Sequence, residues 1–239
     1  MLKRKPVNSL IVKLISFAKG EEFNLDASIP SGYLLALLLR KTIACLRGGF
    51  RLGRIRPPVL VGRKVVLRCK GRMHFAGSVS IDDHCILDAL SSCGIHLGSG
   101  VSINKHVVIE CTGSLRNIGE GLRIGDHVGI GSGSYLGCAG GVEIGSNTIF
   151  GNFVSLHSEN HVFHKQETPY RLQGVTRSGI RIGQNCWIGA KATILDGVDL
   201  GDGCIIAAGA VLPRGSYEAY GIYGGIPARR IGTVEAKQE

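Results

Sequence analysis

What this 239-residue chain lacks narrows it first. Among eight cysteines there is no C-x-x-C pair, so a cysteine-built metal centre or redox couple has no sequence support, and a reducing cytoplasm suits the thiols. Aromatic residues make up only 6% of the chain, with one tryptophan. No stretch interleaves them with basic residues, which leaves no stacking platform for nucleic acid. The formal charge of +10 supplies none either: residues 1–56 hold 11 Lys/Arg against 3 Asp/Glu, and the rest hold 17 against 15. No apolar run approaches the roughly 20 residues that span a bilayer. Lys13 interrupts the first apolar stretch and no A-x-A site follows it, so a secretory signal peptide is not expected.

What is abundant is glycine, 36 residues, and it falls in phase with an apolar beat of six. Ile182, Ile188, Ile194, Leu200, Ile206 and Leu212 keep that beat without a miss. Upstream it runs from Val61 and Leu67 through Ile103, Ile109, Ile130, Leu136, Phe150 and Leu156, broken by insertions. Neither a helix nor an ordinary sheet has this period. Four residues after each beat stands a small or branched residue such as Cys85, Val107, Val154, Cys186, Ala192 or Cys204. Three after it stands one that tolerates positive φ, such as Gly100, Asn147, Asn185 or Gly209. Each unit therefore reads as a short strand and a corner. Three units would close a triangular coil, and stacked coils would pair their strands in parallel about 4.8 Å apart. The fold class expected is an all-β solenoid over residues 57–223, with a tail at 224–239.

Residues 1–56 read as a basic, amphipathic helical extension in two pieces. Asn8 or Ser9 would cap the first, through about Ala18. Ser31 would cap the second, with Gly48-Gly49 stopping it. Such helices either pack on or cap the solenoid, or lie on anionic lipid by apolar insertion and basic charge.

Between Leu156 and Ile182 the beat stops for 20 extra residues, an extrusion at 157–179 that inside a regular solenoid points to function. It carries His157, His161 and His164. The other histidines are explained by phase: His84, His106 and His127 stand at corners, where histidine tolerates a left-handed backbone. His96 points out from a strand, and His74 is unassigned.

The pattern aliphatic-Gly-x-x-small-x, present as Ile124-Gly125, Ile144-Gly145, Ile182-Gly183, Ile188-Gly189 and Leu200-Gly201, resembles that of the hexapeptide-repeat acyltransferases. The resemblance implies a left-handed parallel β-helix. Within that group the stretch Glu159-Asn160-His161, followed by Arg171 to Arg177 and Ile180-Arg181-Ile182-Gly183, is similar to the maltose, galactoside and capsule-modifying O-acetyltransferases, where a loop histidine is the general base. That implies His161 as base, with His157 and His164 as competitors and Glu159 orienting the imidazole. An alcohol needs such a base, because its own pKa lies far above neutrality. The run from Asn185 to Ala190 and from Ile205 to Arg230, with its Gly225-Ile226-Pro227-Ala228-Arg229 tail, resembles the family's coenzyme A face. By position, Ala190 and Ala208 would lie under the pantetheine arm and Arg214 and Arg229 would meet phosphates. Ile226 where many members have Asn, and Pro213-Arg214 where many have Thr-Lys, depart from the pattern. Ser132-Gly133-Ser134 lacks the asparagine that some sugar acetyltransferases use to hold acceptor hydroxyls.

The function expected is transfer of acetyl from acetyl-CoA to a sugar hydroxyl in surface-polysaccharide or glycolipid assembly. It would be carried out in the cytoplasm, with peripheral contact at the inner membrane face, by a homotrimer whose active sites lie between subunits. No metal and no nucleic acid are expected. The rivals are an N-acetyltransferase on an amino sugar or antibiotic-type acceptor, a zinc carbonic-anhydrase-like β-helix enzyme, and a scaffold without chemistry.

Overall fold

The period-six beat becomes the inside of a triangular prism. In the computed structural model, which describes Asp26 and residues 28–235, the chain winds through three sheets of nine, seven and seven strands. The fold is a left-handed parallel β-helix. The first sheet climbs from Val59–Val61 to Gly221–Gly225, the second from Val66–Arg68 to Val211–Leu212, and the third from Met73–Phe75 to Gly215–Tyr217. Every solenoid pairing is parallel, as in Leu136↔Leu156↔Ile194↔Leu212. Each beat residue therefore sits on its counterpart in the next coil. Ile109, Ile130, Leu136, Leu156, Ile188 and Ile194 are fully buried, and so are the small partners Cys85, Val107, Val154, Ala192 and Cys204.

The corners take the left-handed backbone that the sequence asks for. His84, His106, His127, Asn147 and Asn185 all have φ between 54° and 63°. Lys64, Phe153, Lys191 and Tyr220 do the same without a residue type that favours it. The tight coil spacing over-determines their conformation.

One long helix, α1 (Ser31–Leu52), closes the amino-terminal end. Two details of it differ from expectation. Ser31 is its first helical residue and caps nothing, since extended Pro30 precedes it and no side chain bonds the free N–H groups. The helix also runs through Gly48-Gly49 and stops at left-handed Gly53. Gly48 is there for contact: a Cβ would stand 1.7 Å from the Val59 carbonyl oxygen, so only glycine lets the helix lie on the first strand. The helix proposed for residues 8–18 lies outside the described residues. At the other end, Gly221–Gly225 folds back antiparallel on Ala228–Thr233 and closes the last coil.

Candidate active site

The extrusion leaves the second sheet at His157, the last residue of strand Ser155–His157, and re-enters the third at Ile180. Inside it, Asn160–His161 pairs antiparallel with Val175–Thr176, so His161 stands opposite Val175 on a two-stranded ribbon. A helical turn, Tyr170–Gln173, is fastened by Gln173, which bonds the Lys165 backbone and the Thr168 carbonyl. Both ends are pinned. Ser158, buried, donates to the Gly137 carbonyl at 2.8 Å and accepts the Gly140 N–H at 2.9 Å. Asp196 accepts the N–H groups of Ser178 and Gly179 at 2.8 and 2.9 Å.

His161 is exposed. Glu159, read from sequence as its orienter, holds the Arg177 guanidinium at 2.7 Å. Arg177 also donates to the Ile118 and Asn117 carbonyls at 3.0 Å each, tying the extrusion to the shorter excursion after Glu110. This clamp was not read from sequence: its members are 18 to 60 residues apart, and no motif marks them. His157 bonds the Ser155 hydroxyl at 2.7 Å. Partial burial holds its imidazole pKa below the ordinary 6.5. His164 lies against Phe163, with ring centres 4.7 Å apart and the ring planes tilted by 44°.

Of the residues expected at a coenzyme face, only Ala190 and Ala208 share a pocket lining. Ala190 and Ala208 line one groove of about 560 Å³ together with Gly151, Asn152, Trp187 and Gly189. Its walls are small because the coils nearly touch: a Cβ on Gly151 would meet the Ala190 nitrogen at 2.5 Å. Trp187 is half exposed on the outward row of the first sheet, where it lines this groove. Arg229 pairs across from Gly224, whose Cα faces the Ala207 methyl. Arg214 lies over Gly197 at a corner. The Tyr217 hydroxyl, raised in pKa by burial and pulled back by Arg229, donates to the Pro213 carbonyl at 2.8 Å. The groove lining contains neither His161 nor Glu159. The residue expected as base and the residues expected at the coenzyme face thus do not share one pocket in this chain.

Residues 121–156 and 179–214 match the family model described as hexapeptide repeat of succinyl-transferase. The probable acetyltransferase Rv3034c of Mycobacterium tuberculosis is 30% identical over 148 residues, 57% of this chain and 49% of that one. The putative lipopolysaccharide biosynthesis O-acetyl transferase WbbJ of Escherichia coli is 30% identical over 97 residues, 38% of this chain and 49% of that one. The chain spans about half the length of these curated relatives. Among solved structures, a single-site mutant of AntD, an N-acyltransferase from Bacillus cereus, in complex with dTDP and coenzyme A superimposes with a TM-score of 0.52. It is 17% identical, and the match covers 73% of this chain and 86% of that one, a likeness of fold alone.

Proposed function

We propose that this chain, a stack of hexapeptide repeats, is an acetyltransferase that moves acetyl from acetyl-CoA to a sugar hydroxyl, in surface-polysaccharide or glycolipid assembly. The observation that carries the reading is the pairing of two features on one solenoid. An exposed histidine stands on a pinned loop, and a small-walled groove includes Ala207, against which lies Gly224, the cross-strand partner of Arg229. The groove suits a slender thiol arm, because Gly189, Ala190 and Ala208 give much of its wall little or no side chain. Arg214 and Arg229 are exposed cations of the kind that phosphates need. Relatives named as probable or putative acetyltransferases, one of them a lipopolysaccharide biosynthesis O-acetyl transferase, support the same reaction class.

Acetyl-CoA supplies the acyl group as a thioester and leaves as the thiol. His161 would take the proton of the attacking hydroxyl, and a backbone N–H of the coil wall would hold the oxyanion. Glu159 and Arg177 would keep the ribbon still rather than exchange protons. Because the loop histidine and the groove do not share one pocket in this chain, we place the reaction between subunits of a homotrimer, the loop of one facing the groove of the next.

The test is release of free thiol from acetyl-CoA in the presence of neutral glycans and of amino sugars. Acetyl ester formation on a glycan is the expected product. Amide formation on an amino sugar alone would move the assignment to N-acetyl transfer, a case of the N-acyl transfer for which AntD is named. Release of thiol with neither acceptor, or dependence on bound zinc, would overturn it.

A further inference from the structure

Two excursions leave the solenoid from the same edge. Strand Val108–Glu110 gives way to residues 111–119, and strand Ser155–His157 to the long extrusion. Between them in the second sheet runs Tyr135–Gly137, in register so that Glu110, Gly137 and His157 form one outward row. The middle position has no side chain. Tyr135, from the neighbouring row, fills the space: its ring lies within 3.0 Å of where a Gly137 Cβ would stand, and its hydroxyl donates to Glu110 Oε2 at 3.1 Å. The His157 ring lies beside it, tilted by 36° with 5.6 Å between centres. The walls are tied across by Arg177, which reaches Glu159 in one excursion and the carbonyls of Asn117 and Ile118 in the other.

This floor is unlike the rest of the sheet. In the preceding coils the same two rows carry Val66 and Ile86, and the ion pair Arg68–Asp88. Glu110 has no cation among the described residues, and its carboxylate keeps acceptor capacity beyond the single Tyr135 bond. A flat phenol flanked by a carboxylate and an imidazole, walled by loops one of which bears His161, matches one ligand chemistry. The ring gives a face to stack on the C–H side of a pyranose, and the edges accept and donate to its hydroxyls.

We propose that Tyr135, Glu110 and His157 form the acceptor subsite for a pyranose ring, with Tyr135 as platform and Glu110 as the hydroxyl acceptor that sets specificity. This rests on the acetyl-transfer reading above and names the place where its acceptor binds. Gly137 is part of the device, because a side chain there would displace the ring.

The experiment measures acceptor and acetyl-CoA kinetics for wild type, Tyr135→Phe, Tyr135→Ala and Glu110→Gln. It adds saturation-transfer NMR with methyl α-D-glucopyranoside and methyl α-D-galactopyranoside. Tyr135→Ala and Glu110→Gln should raise the acceptor KM about tenfold or more, the loss of a hydrogen bond to a charged group, with the acetyl-CoA KM unmoved. Tyr135→Phe should keep the ring transfer signal and lose only part of the affinity. An unchanged acceptor KM in both Tyr135→Ala and Glu110→Gln would overturn the subsite. If no glycan releases thiol, the functional reading fails by itself and the NMR decides the subsite. Saturation transfer to a pyranoside that disappears in Tyr135→Ala upholds it, and transfer that is absent in wild type or persists in Tyr135→Ala refutes it.

Discussion

At the residue scale, inward and outward positions of one coil differ sharply in what they tolerate. Ile194 is fully buried between Leu156 and Leu212, while Lys191, three residues earlier, is an exposed corner. Ile194→Asp puts a carboxylate where no partner can reach it and should cost about 3 kcal/mol or more. Lys191→Glu should be nearly neutral. Thermal denaturation of both variants decides, and equal melting temperatures would mean that the coil phase is wrong. His161→Ala should lower kcat by roughly 10²–10⁴ and leave acetyl-CoA affinity unchanged, the signature of a lost general base. Near wild-type kcat would shift attention to His157 and His164. His157 makes a separate prediction about pH. Burial depresses its folded pKa below 6.5, so as pH falls the unfolded chain takes up the proton first. The stability this residue contributes is complete above pH 6.5 and is lost as pH falls through the depressed folded value. His157→Gln should therefore lose less melting temperature than wild type between about pH 7.5 and about pH 5. An equal or larger loss would contradict the burial argument.

At the element scale, α1 is inverted relative to an ordinary surface helix. Its arginines face the solenoid: Arg40 pairs with Asp82, and Arg47 and Arg51 donate to the Val61 and Val65 carbonyls at 2.8 and 2.7 Å. Leu35, Leu39, Ile43, Leu46 and Phe50, spaced for one helical face, are exposed, Phe50 to 92%. Of the two sequence readings, packing on the solenoid or attachment to anionic lipid by apolar insertion and basic charge, the second loses the charge of Arg40, Arg47 and Arg51, which already have protein partners. If α1 meets a membrane, the contact is apolar first. No helix among the described residues is long and apolar enough to cross one. Flotation with phosphatidylglycerol vesicles should show binding that survives salt and is lost in Leu39→Ser/Leu46→Ser. Binding abolished by salt but untouched by those substitutions would restore the electrostatic reading and assign it to other cations.

At the scale of the whole molecule, a loop histidine and a groove that share no pocket within one chain predict complementation. Mixed and refolded with Ala208→Trp chains, whose groove is filled from an exposed position, His161→Ala chains should regain activity that neither variant has alone. A site shared between subunits keeps one intact loop and one intact groove in some mixed assemblies. Failure of the mixture to recover activity, with mixed oligomers demonstrated, would place the whole site in one chain. The sequence by itself determined the coil. Inward position, corner and strand repeat within six residues, and each depends only on local backbone preference and on neighbours of the same phase. It also marked the extrusion and the three histidines it carries, because an interruption shows against a regular beat. What only the tertiary structure decided is which side chains the stacking sets side by side. Glu110 meets Tyr135 across 25 residues and Arg177 meets Asn117 across 60, separations fixed by coil length plus insertions of irregular size. The run of α1 past Gly48 belongs there too, since that glycine serves the approach of Val59, a contact no local pattern encodes.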